Sequence, residues 1–163
     1  MNFFILDASA LAKRYCPELG SDQIDHLFQH VSHDRLMCLM WGAAEVVSVL
    51  VRAKNGGRLS PAAFQLGMNN LKAEILDDPL FNTLAADNGL VVAALPLIDK
   101  HALNASDAVL LRSSLDLARD LRADGHELVL VASDHRLLRA AQAEGLCSFN
   151  PETQMATELA PLC

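Results

Sequence analysis

Short apolar runs alternate along the chain with longer segments in which apolar residues recur every three or four positions. The runs FFIL, LMCL, LVLVA and CSF have the length of strands and are mainly apolar, which is typical of strands buried on both faces of a parallel sheet. They predict strands at residues 3–6, 36–39, 128–132 and 147–149.

The segments between these runs have helical periodicity. Ile24, Leu27 and Phe28, for example, would share one face of a helix. Ser60-Pro61 provides a capping residue and a first-turn proline, whereas Asn55-Gly56-Gly57 is a stop signal. We predict helices at residues 21–30, 41–54, 107–121 and 134–144, and another from Ser60-Pro61 towards Leu76.

Residues 84–103 fit two structures, because GLVVAALPLI has the composition of a buried strand and the length of a helix. Pro96 would disturb either one, and we expect a helix from about Asp87. Alternating strands and helices predict an α/β fold, with helices on both faces of a parallel sheet. We expect one domain over residues 1–163, in which residues 56–86 contain no motif that assigns them a role.

Charge and composition narrow the classes of function. The net charge of −7 argues against a protein that holds nucleic acid on a broad basic surface. It is compatible with a nucleic-acid enzyme, because bound divalent cations can offset the negative charge of a local group of acidic residues. No apolar run has the length of a membrane span or the form of a signal peptide, so we expect a cytoplasmic protein without membrane contact. The cysteines form no C-x-x-C pair, and we expect reduced thiols at Cys16, Cys38, Cys147 and Cys163.

Two aspartates follow predicted strands. Asp7 comes after FFIL and Asp134 after LVLVAS, and ligands of parallel sheets gather at the carboxyl ends of strands. Each aspartate has a simpler interpretation as the N-cap of the helix that follows it, since aspartate is a favoured cap. The pattern by itself leaves both interpretations open.

Two further acidic residues lie in helical segments that are otherwise largely apolar. Glu45 is the only charged residue between Arg35 and Arg52, and a solvated helix face would carry more polar residues. Asp107 could cap its helix, but it also begins a face that continues with two leucines one turn later and is directed inwards. The pattern therefore favours a functional role for Glu45 and leaves capping open as an alternative for Asp107.

Together these four acidic residues indicate a metal site. Neighbouring like charges disfavour ionisation, and a hard cation with oxygen ligands removes that conflict. Mg²⁺ or Mn²⁺ fits clustered carboxylates better than zinc does. A phosphatase or phospho-acceptor domain would also have strand-end aspartates. A phosphatase, however, would be expected to carry a second aspartate two residues after the first, where this chain has Ser9.

Four stretches resemble the acidic motifs of PIN-domain ribonucleases. They are FILDASALAKRY, AAEVVSVLVR, HALNASDAVLL and LVLVASDHRLLRAAQAEGLCSFNPE, and they are spread over residues 3–152. The most similar group is the VapC-type toxins of type II toxin–antitoxin pairs. The resemblance implies a PIN-like, three-layer α/β/α sandwich with a central parallel sheet, and it favours a helix at residues 87–101.

The resemblance also implies Mg²⁺- or Mn²⁺-dependent hydrolysis of RNA phosphodiester bonds. Position by position, it implies catalytic and metal-binding roles for Asp7, Glu45, Asp107 and Asp134. Ser9 and Ser133 match small hydroxyl positions that help to orient such a site.

Contacts with RNA are less well defined by the motifs. Asn104 and Ala105 stand where the group often has a basic residue and an aromatic one, which concerns substrate contacts more than catalysis. Four basic residues near the motifs are candidates for RNA binding, and each is equally an ordinary surface charge: Lys13, Arg14, Arg112 and Arg136.

The partners implied by the resemblance are an RNA substrate, a small cognate antitoxin protein and a second copy of the chain in a homodimer. Two other functions stay open on the sequence. One is a PIN-type RNA-processing nuclease without an antitoxin, and the other is a non-catalytic interaction module of the same fold.

Overall fold

A five-stranded parallel sheet forms the centre of the protein, which we describe from a computed structural model of residues 1–155. Neighbouring strands are parallel throughout, in the order β3-β2-β1-β4-β5. The strands are β1 (Asn2–Leu6), β2 (Leu36–Leu39), β3 (Asn82–Leu84), β4 (Glu127–Val131) and β5 (Cys147–Phe149). β1 and β4 lie side by side, in register from Asn2 opposite Glu127 to Leu6 opposite Val131. Their carboxyl ends therefore lie next to each other.

Helices connect the strands and cover both faces of the sheet. Within residues 1–155 they are α1 (Ala8–Leu11), α2 (Ser21–His30), α3 (Met40–Asn55), α4 (Pro61–Leu71), α5 (Asn88–His101), α6 (Ala105–Ala123) and α7 (His135–Ala143). A π-helical turn, Lys72–Leu76, continues α4, and 3-10 turns occur at Ala12–Arg14 and His33–Arg35. None of the helices in this part of the chain combines the length and apolar character that crossing a bilayer requires.

The sheet separates two apolar cores, which makes it the middle of three layers. Phe4 and Leu6 of β1 pack into the core formed with α1 to α4, whereas Ile5 packs into the core formed with α5 to α7. The other central strands alternate between the two cores in the same way. A strand with a core on each side must be apolar at consecutive positions, as the sequence indicates, and the predicted α/β/α sandwich is confirmed.

The predicted elements agree with the structure to within two residues at each end, provided that the π-helical turn Lys72–Leu76 is counted as the end of α4. Residues 88–101 form a helix, and the side chain of Asp87 caps it by accepting a hydrogen bond from Leu90 N at 2.7 Å. Pro96 lies inside α5, which continues past it. β3 is absent from the predicted strands. Its three residues lie at the sheet edge, half-buried or exposed, so they lack the apolar run by which the other strands are identified.

The cysteines in the described residues form no disulfide. Cys16 and Cys38 are buried and Cys147 is exposed, and Cys163 lies outside the described residues. Burial raises the pKa of the Cys38 thiol to about 12. This thiol is therefore a small apolar group in the core rather than a reactive one.

Candidate functional site

The four acidic residues identified from the sequence meet at the carboxyl edge of β1 and β4. Asp7 directly follows β1, and its backbone N donates a hydrogen bond to Val131 O at the end of β4, at 2.9 Å. Asp134 precedes α7, Asp107 lies in the first turn of α6, and Glu45 lies on α3. The charges of Asp7, Asp134 and Glu45 all raise the pKa of Asp107, so the four residues are close enough to interact electrostatically.

Asp7 is both a helix cap and a buried acid. Its Oδ2 accepts hydrogen bonds from Ser9 N at 2.9 Å and Ser9 Oγ at 2.5 Å, as expected of an N-cap. The residue is only 9% exposed, and burial raises the pKa of its carboxyl despite these hydrogen bonds. The negative charge of Asp134 raises this pKa further. Capping and a functional role therefore coexist in one residue.

Ser9 connects the ends of the two central strands. Its Oγ donates to Asp7 and also accepts a hydrogen bond from Ser133 N at 2.9 Å. Because Ser133 lies 124 residues further along the chain, this hydroxyl fixes the first acidic motif against the fourth. Ser133 takes part in the connection through its backbone N–H.

Asp134 caps α7 through one carboxylate oxygen. Its Oδ1 accepts hydrogen bonds from Arg136 N at 2.7 Å and Leu137 N at 3.1 Å. The side chain is half-buried. Its charge acts on both Asp7 and Asp107. We refer to Asp7, Glu45, Asp107 and Asp134 together as the acidic cluster.

The carboxyl of Asp107 is buried close to the other three acidic residues. It does not cap α6, because Asn104 Oδ1 accepts the hydrogen bond from Asp107 N at 2.9 Å. The side chain is 9% exposed, and its Oδ2 is buried without a hydrogen-bond partner among residues 1–155. Burial first, and then the neighbouring carboxylates, raise the pKa of Asp107 to about 7, while Arg136 opposes the shift.

Glu45 is half-buried and lines a cavity of about 140 Å³. Burial raises the pKa of its carboxyl, and a hydrogen bond with Ser106 opposes that change. The charge of Asp7 adds to the increase. Apart from Asp7, Glu45 and Ser106, the cavity is lined by apolar side chains, among them Trp41 and Val91. The acidic cluster therefore borders an apolar space.

The chemistry of these side chains suits a hard cation. Their donors are carboxylate oxygens, which Mg²⁺ and Mn²⁺ prefer. Among residues 1–155, the buried Oδ2 of Asp107 has no hydrogen-bond donor, which a buried carboxylate needs. In the arrangement seen for residues 1–155, no three His, Cys, Asp or Glu side chains converge closely enough to hold a metal ion. The hydrogen bonds of Asp7 and Asp134 engage Oδ2 and Oδ1 respectively. Metal binding stays a prediction, and the donor set is compatible with it.

The basic residues predicted to contact RNA have different surroundings. Lys13 is only 2% exposed, and its Nζ donates to Glu18 Oε1 at 2.9 Å and to Glu152 Oε1 at 2.6 Å. This burial argues against the RNA contact predicted for Lys13. The ion pairs instead fix the chain after β1 to the segment after β5.

The remaining three basic candidates differ in their ion pairs. Arg14 pairs with Asp25 and Glu74, and Arg112 pairs with Asp116 on its own helix. Arg136 is exposed and has no carboxylate within ion-pair distance in the described part of the chain. Its charge nevertheless acts on Asp107, which makes it the candidate best placed at the acidic cluster.

Two residues of the site were not proposed from the sequence. Ser106 contacts Glu45, but a serine next to Asp107 near the start of a helix has the composition of an ordinary cap. Trp41, the single tryptophan of the chain, lines the cavity and is 64% exposed. A lone exposed tryptophan is a recognisable signal, but its exposure cannot be read from an apolar stretch such as LMWGAA.

An α/β/α sandwich of this strand order, with acidic residues at the carboxyl edge of the central strands, is the PIN-like fold that the motifs imply. No family model matches the sequence, and no curated protein matches it. Solved structures do match.

Three of these solved structures are PAE2754 from Pyrobaculum aerophilum, FitAcB from Neisseria gonorrhoeae and a toxin–antitoxin complex from Klebsiella pneumoniae. The first is 22% identical, covers 99% of each chain and has a TM-score of 0.64. FitAcB is 14% identical over 93% of this chain and 100% of that one, with a TM-score of 0.62. The Klebsiella complex is 14% identical, and the match covers 90% of this chain and 96% of that one, with a TM-score of 0.56. At these identities the likeness shows a shared fold.

Proposed function

We propose that the protein is a Mg²⁺- or Mn²⁺-dependent endoribonuclease and the toxin of a toxin–antitoxin pair. The observation that supports this proposal best is the environment of Asp107. Its carboxylate is buried beside three other acidic residues and has one oxygen without a partner in the described residues. A chain does not bury repelling carboxylates at a sheet edge for stability, and a bound cation explains the arrangement.

The cation would be held by Asp7, Asp107 and Asp134, with Glu45 completing the set directly or through water. When bound, such a cation lowers the pKa of a ligated water and neutralises charge that develops on a phosphoryl group. Ser9 would keep the carboxylate of Asp7 oriented through its two hydrogen bonds. Arg136, exposed at the edge of the cluster, would contact the RNA backbone and attract it to an otherwise acidic protein.

A cleavage assay tests the enzymatic part of the proposal. Purified protein is incubated with total RNA in Mg²⁺, Mn²⁺ or EDTA, and the products are separated on a denaturing gel. We expect discrete cleavage with either metal and none in EDTA. Equal products in EDTA would contradict a metal-dependent mechanism, and intact RNA under every condition would favour the non-catalytic module.

An antitoxin partner is supported by the fold neighbours, one of which is a toxin–antitoxin complex. The acidic cluster would attract a basic side chain of such a partner, since charge complementarity steers association and specificity. We expect expression of this chain alone to inhibit growth, and co-expression with the neighbouring small gene to restore growth and yield a co-purifying complex. Harmless expression and the absence of a small partner would favour an RNA-processing nuclease.

A homodimer is supported by an apolar surface on α5. Val91, Val92 and Leu95 are 41%, 65% and 53% exposed, and Trp41 shares the cavity with Val91. An apolar face of this kind can meet its own copy across a two-fold axis without any charge complementarity. Light scattering of the purified chain should give twice the mass of 17.7 kDa, whereas a monomer at micromolar concentration would contradict the dimer.

A further inference from the structure

A second cavity, of about 300 Å³, lies beside α7 and the segment after β5. Its walls are polar, unlike those of the cavity beside Glu45. The polar side chains include His135, Arg139 and Gln142 from α7, Ser148 from β5, and Asn150 and Thr153 from the segment that follows. We refer to it as the α7 cavity.

The exposed face of α7 is directed to this cavity and contributes little to the core. His135, Arg139 and Gln142 are separated by four and three residues, so they lie on the same side of the helix, and all three are exposed. The opposite face buries Leu137, Ala140 and Ala141 in the core. The polar face therefore adds little to the packing of α7 against the core.

The charge of the α7 cavity is opposite to that of the protein. Arg139 makes no ion pair or hydrogen bond among residues 1–155, whereas Arg112, Arg119 and Arg122 of α6 all pair with carboxylates. Among residues 1–155, no acidic side chain lines the cavity. In a chain with a net charge of −7, an unpaired arginine next to a histidine and several amides and hydroxyls is suited to an anionic, hydrogen-bonding ligand.

The α7 cavity begins where the acidic cluster ends. Asp134 caps α7, and His135 is the first residue of the helix. The step from His135 to Arg139 is four residues, or about 6 Å at the helical rise of 1.5 Å per residue. A strand of RNA with a phosphate at the carboxylates would thus reach the cavity by crossing the first turn of α7.

We propose that the α7 cavity binds a nucleotide of single-stranded RNA next to the phosphate that is cleaved, with Arg139 contacting a backbone phosphate and Gln142 and Thr153 bonding to the sugar or base. This inference rests on the ribonuclease function proposed above. RNA fits better than a protein partner, because the anchors of protein interfaces are enriched in Trp, Tyr and Arg. Among residues 1–155, Leu138 is the one apolar lining residue that an aromatic anchor could contact, and Arg139 would repel an arginine anchor. Unpaired RNA bases are bound through hydrogen bonds at their edges and by stacking on histidine or arginine.

RNA binding by substituted proteins tests the α7 cavity separately from catalysis. A fluorescently labelled RNA decamer is titrated in Mg²⁺ with the Asp7→Asn protein, in which the bound RNA should stay intact. Arg139→Gln and Gln142→Ala are then added to that background, and Arg119→Gln serves as the matched control, because it makes the same change on an exposed arginine of α6. Thermal melting checks that every variant is folded.

We expect Arg139→Gln to weaken RNA binding roughly tenfold, as the loss of one charge-assisted contact would. The slope of log K against log salt should fall in magnitude by about 0.7, the value for one phosphate contact on a single strand. Gln142→Ala should weaken binding without changing the slope. Arg119→Gln should change neither quantity.

The outcomes separate this inference from the proposed function. If the wild-type protein cleaves RNA but Arg139→Gln binds RNA as well as Arg119→Gln does, the α7 cavity is not the RNA site and the nuclease stands. If no cleavage occurs but Arg139→Gln still selectively weakens RNA binding, the α7 cavity stands and the catalytic proposal fails. Loss of antitoxin binding with unchanged RNA binding would make the α7 cavity a protein contact and overturn the inference.

Discussion

Two regions of the protein depart from the usual distribution of polar and apolar residues, in opposite directions. At the carboxyl edge of β1 and β4, the carboxylates of Asp7 and Asp107 are each only 9% exposed, although buried charge is costly. On α5, Val92 and Leu95 are more than half exposed, although apolar surface gains from burial. The first region buries acidic side chains away from water, and the second exposes apolar side chains to water.

The difference indicates which kind of ligand each region requires. Repelling carboxylates are stabilised by a cation, whereas an apolar helix face is stabilised by another apolar surface. The two regions meet at the cavity lined by Glu45, Trp41 and Val91. A second copy of the chain that covers α5 would therefore border the acidic cluster, and the predictions below test each region in turn.

The largest expected effect is that of Asp7→Asn on RNA cleavage. The change preserves shape but removes a strong metal ligand, and we expect cleavage to fall at least a hundredfold, or about 3 kcal/mol. The metal-free protein should be as stable as the wild type or more so, because asparagine caps a helix as well as aspartate does and one repelling charge is gone. Mg²⁺-dependent cleavage and metal-free melting are the two measurements.

Two further variants serve as controls for Asp7→Asn. Asp120→Asn makes the same change on an exposed residue of α6 and should cleave normally. Asp7→Ala removes the cap as well, which costs about 0.5–2 kcal/mol of stability. Wild-type cleavage by Asp7→Asn would leave capping as the function of this residue.

The next effect is stabilisation of the acidic region by metal. A ligand that binds only the folded state stabilises it by about 2.7 kcal/mol at a concentration 100 times its Kd. For a chain of this size we expect the melting temperature to rise by roughly 5 °C or more in millimolar Mg²⁺ or Mn²⁺. The Asp7→Asn protein should show a much smaller rise. KCl at matched ionic strength is the control, and an equal shift with KCl would mean screening rather than a metal site.

A smaller effect should appear in the pH dependence of stability without metal. The pKa of Asp107 is raised in the folded protein, from an ordinary value of 3.8 to about 7. The folded state therefore binds this proton more tightly than the unfolded state, and stability should fall as the pH rises from about 4 to 7. We expect a loss on the order of 2 kcal/mol, after allowing for coupling among the carboxylates.

The Asp107→Asn protein is the control for this pH dependence. It should lack most of the decline, because asparagine does not titrate over that range. Urea unfolding of both proteins at pH 5 and pH 7.5 in EDTA measures the difference. If the two proteins lose the same stability between these pH values, the titration of Asp107 is not the cause of the pH dependence.

The smallest expected effect concerns the apolar region. Val92→Glu places a charge on the exposed face of α5 and should weaken self-association at least tenfold, or about 1.4 kcal/mol. Leu66→Glu is the matched control, because Leu66 is 60% exposed on α4, on the other side of the sheet. Sedimentation over a range of concentrations distinguishes the variants. Equal weakening by both would point to a general effect of charge rather than an interface on α5.

Local patterns predict secondary structure correctly where the tertiary contacts of a segment require the same pattern of apolar residues. The central strands are apolar at consecutive positions because both faces meet a core. α5 was predicted as a helix in spite of Pro96, and the motif resemblance contributed to that choice. β3 could not be predicted, because an edge strand of three residues is defined by its pairing with β2 rather than by its own composition.

The sequence by itself determined the chain order of the main helices and of every strand except β3, together with the positions of the four acidic residues, because periodicity and capping act between neighbours in the chain. Only the tertiary structure decided that Lys13 is buried, since its partner Glu152 lies 139 residues away. It likewise placed Asp107 near the charges of Asp7 and Asp134 and left Arg139 without an ion pair among residues 1–155. It also placed Trp41, which is exposed, beside Glu45. Burial and ion pairing depend on contacts between distant segments, and those contacts exist only once the sheet has formed.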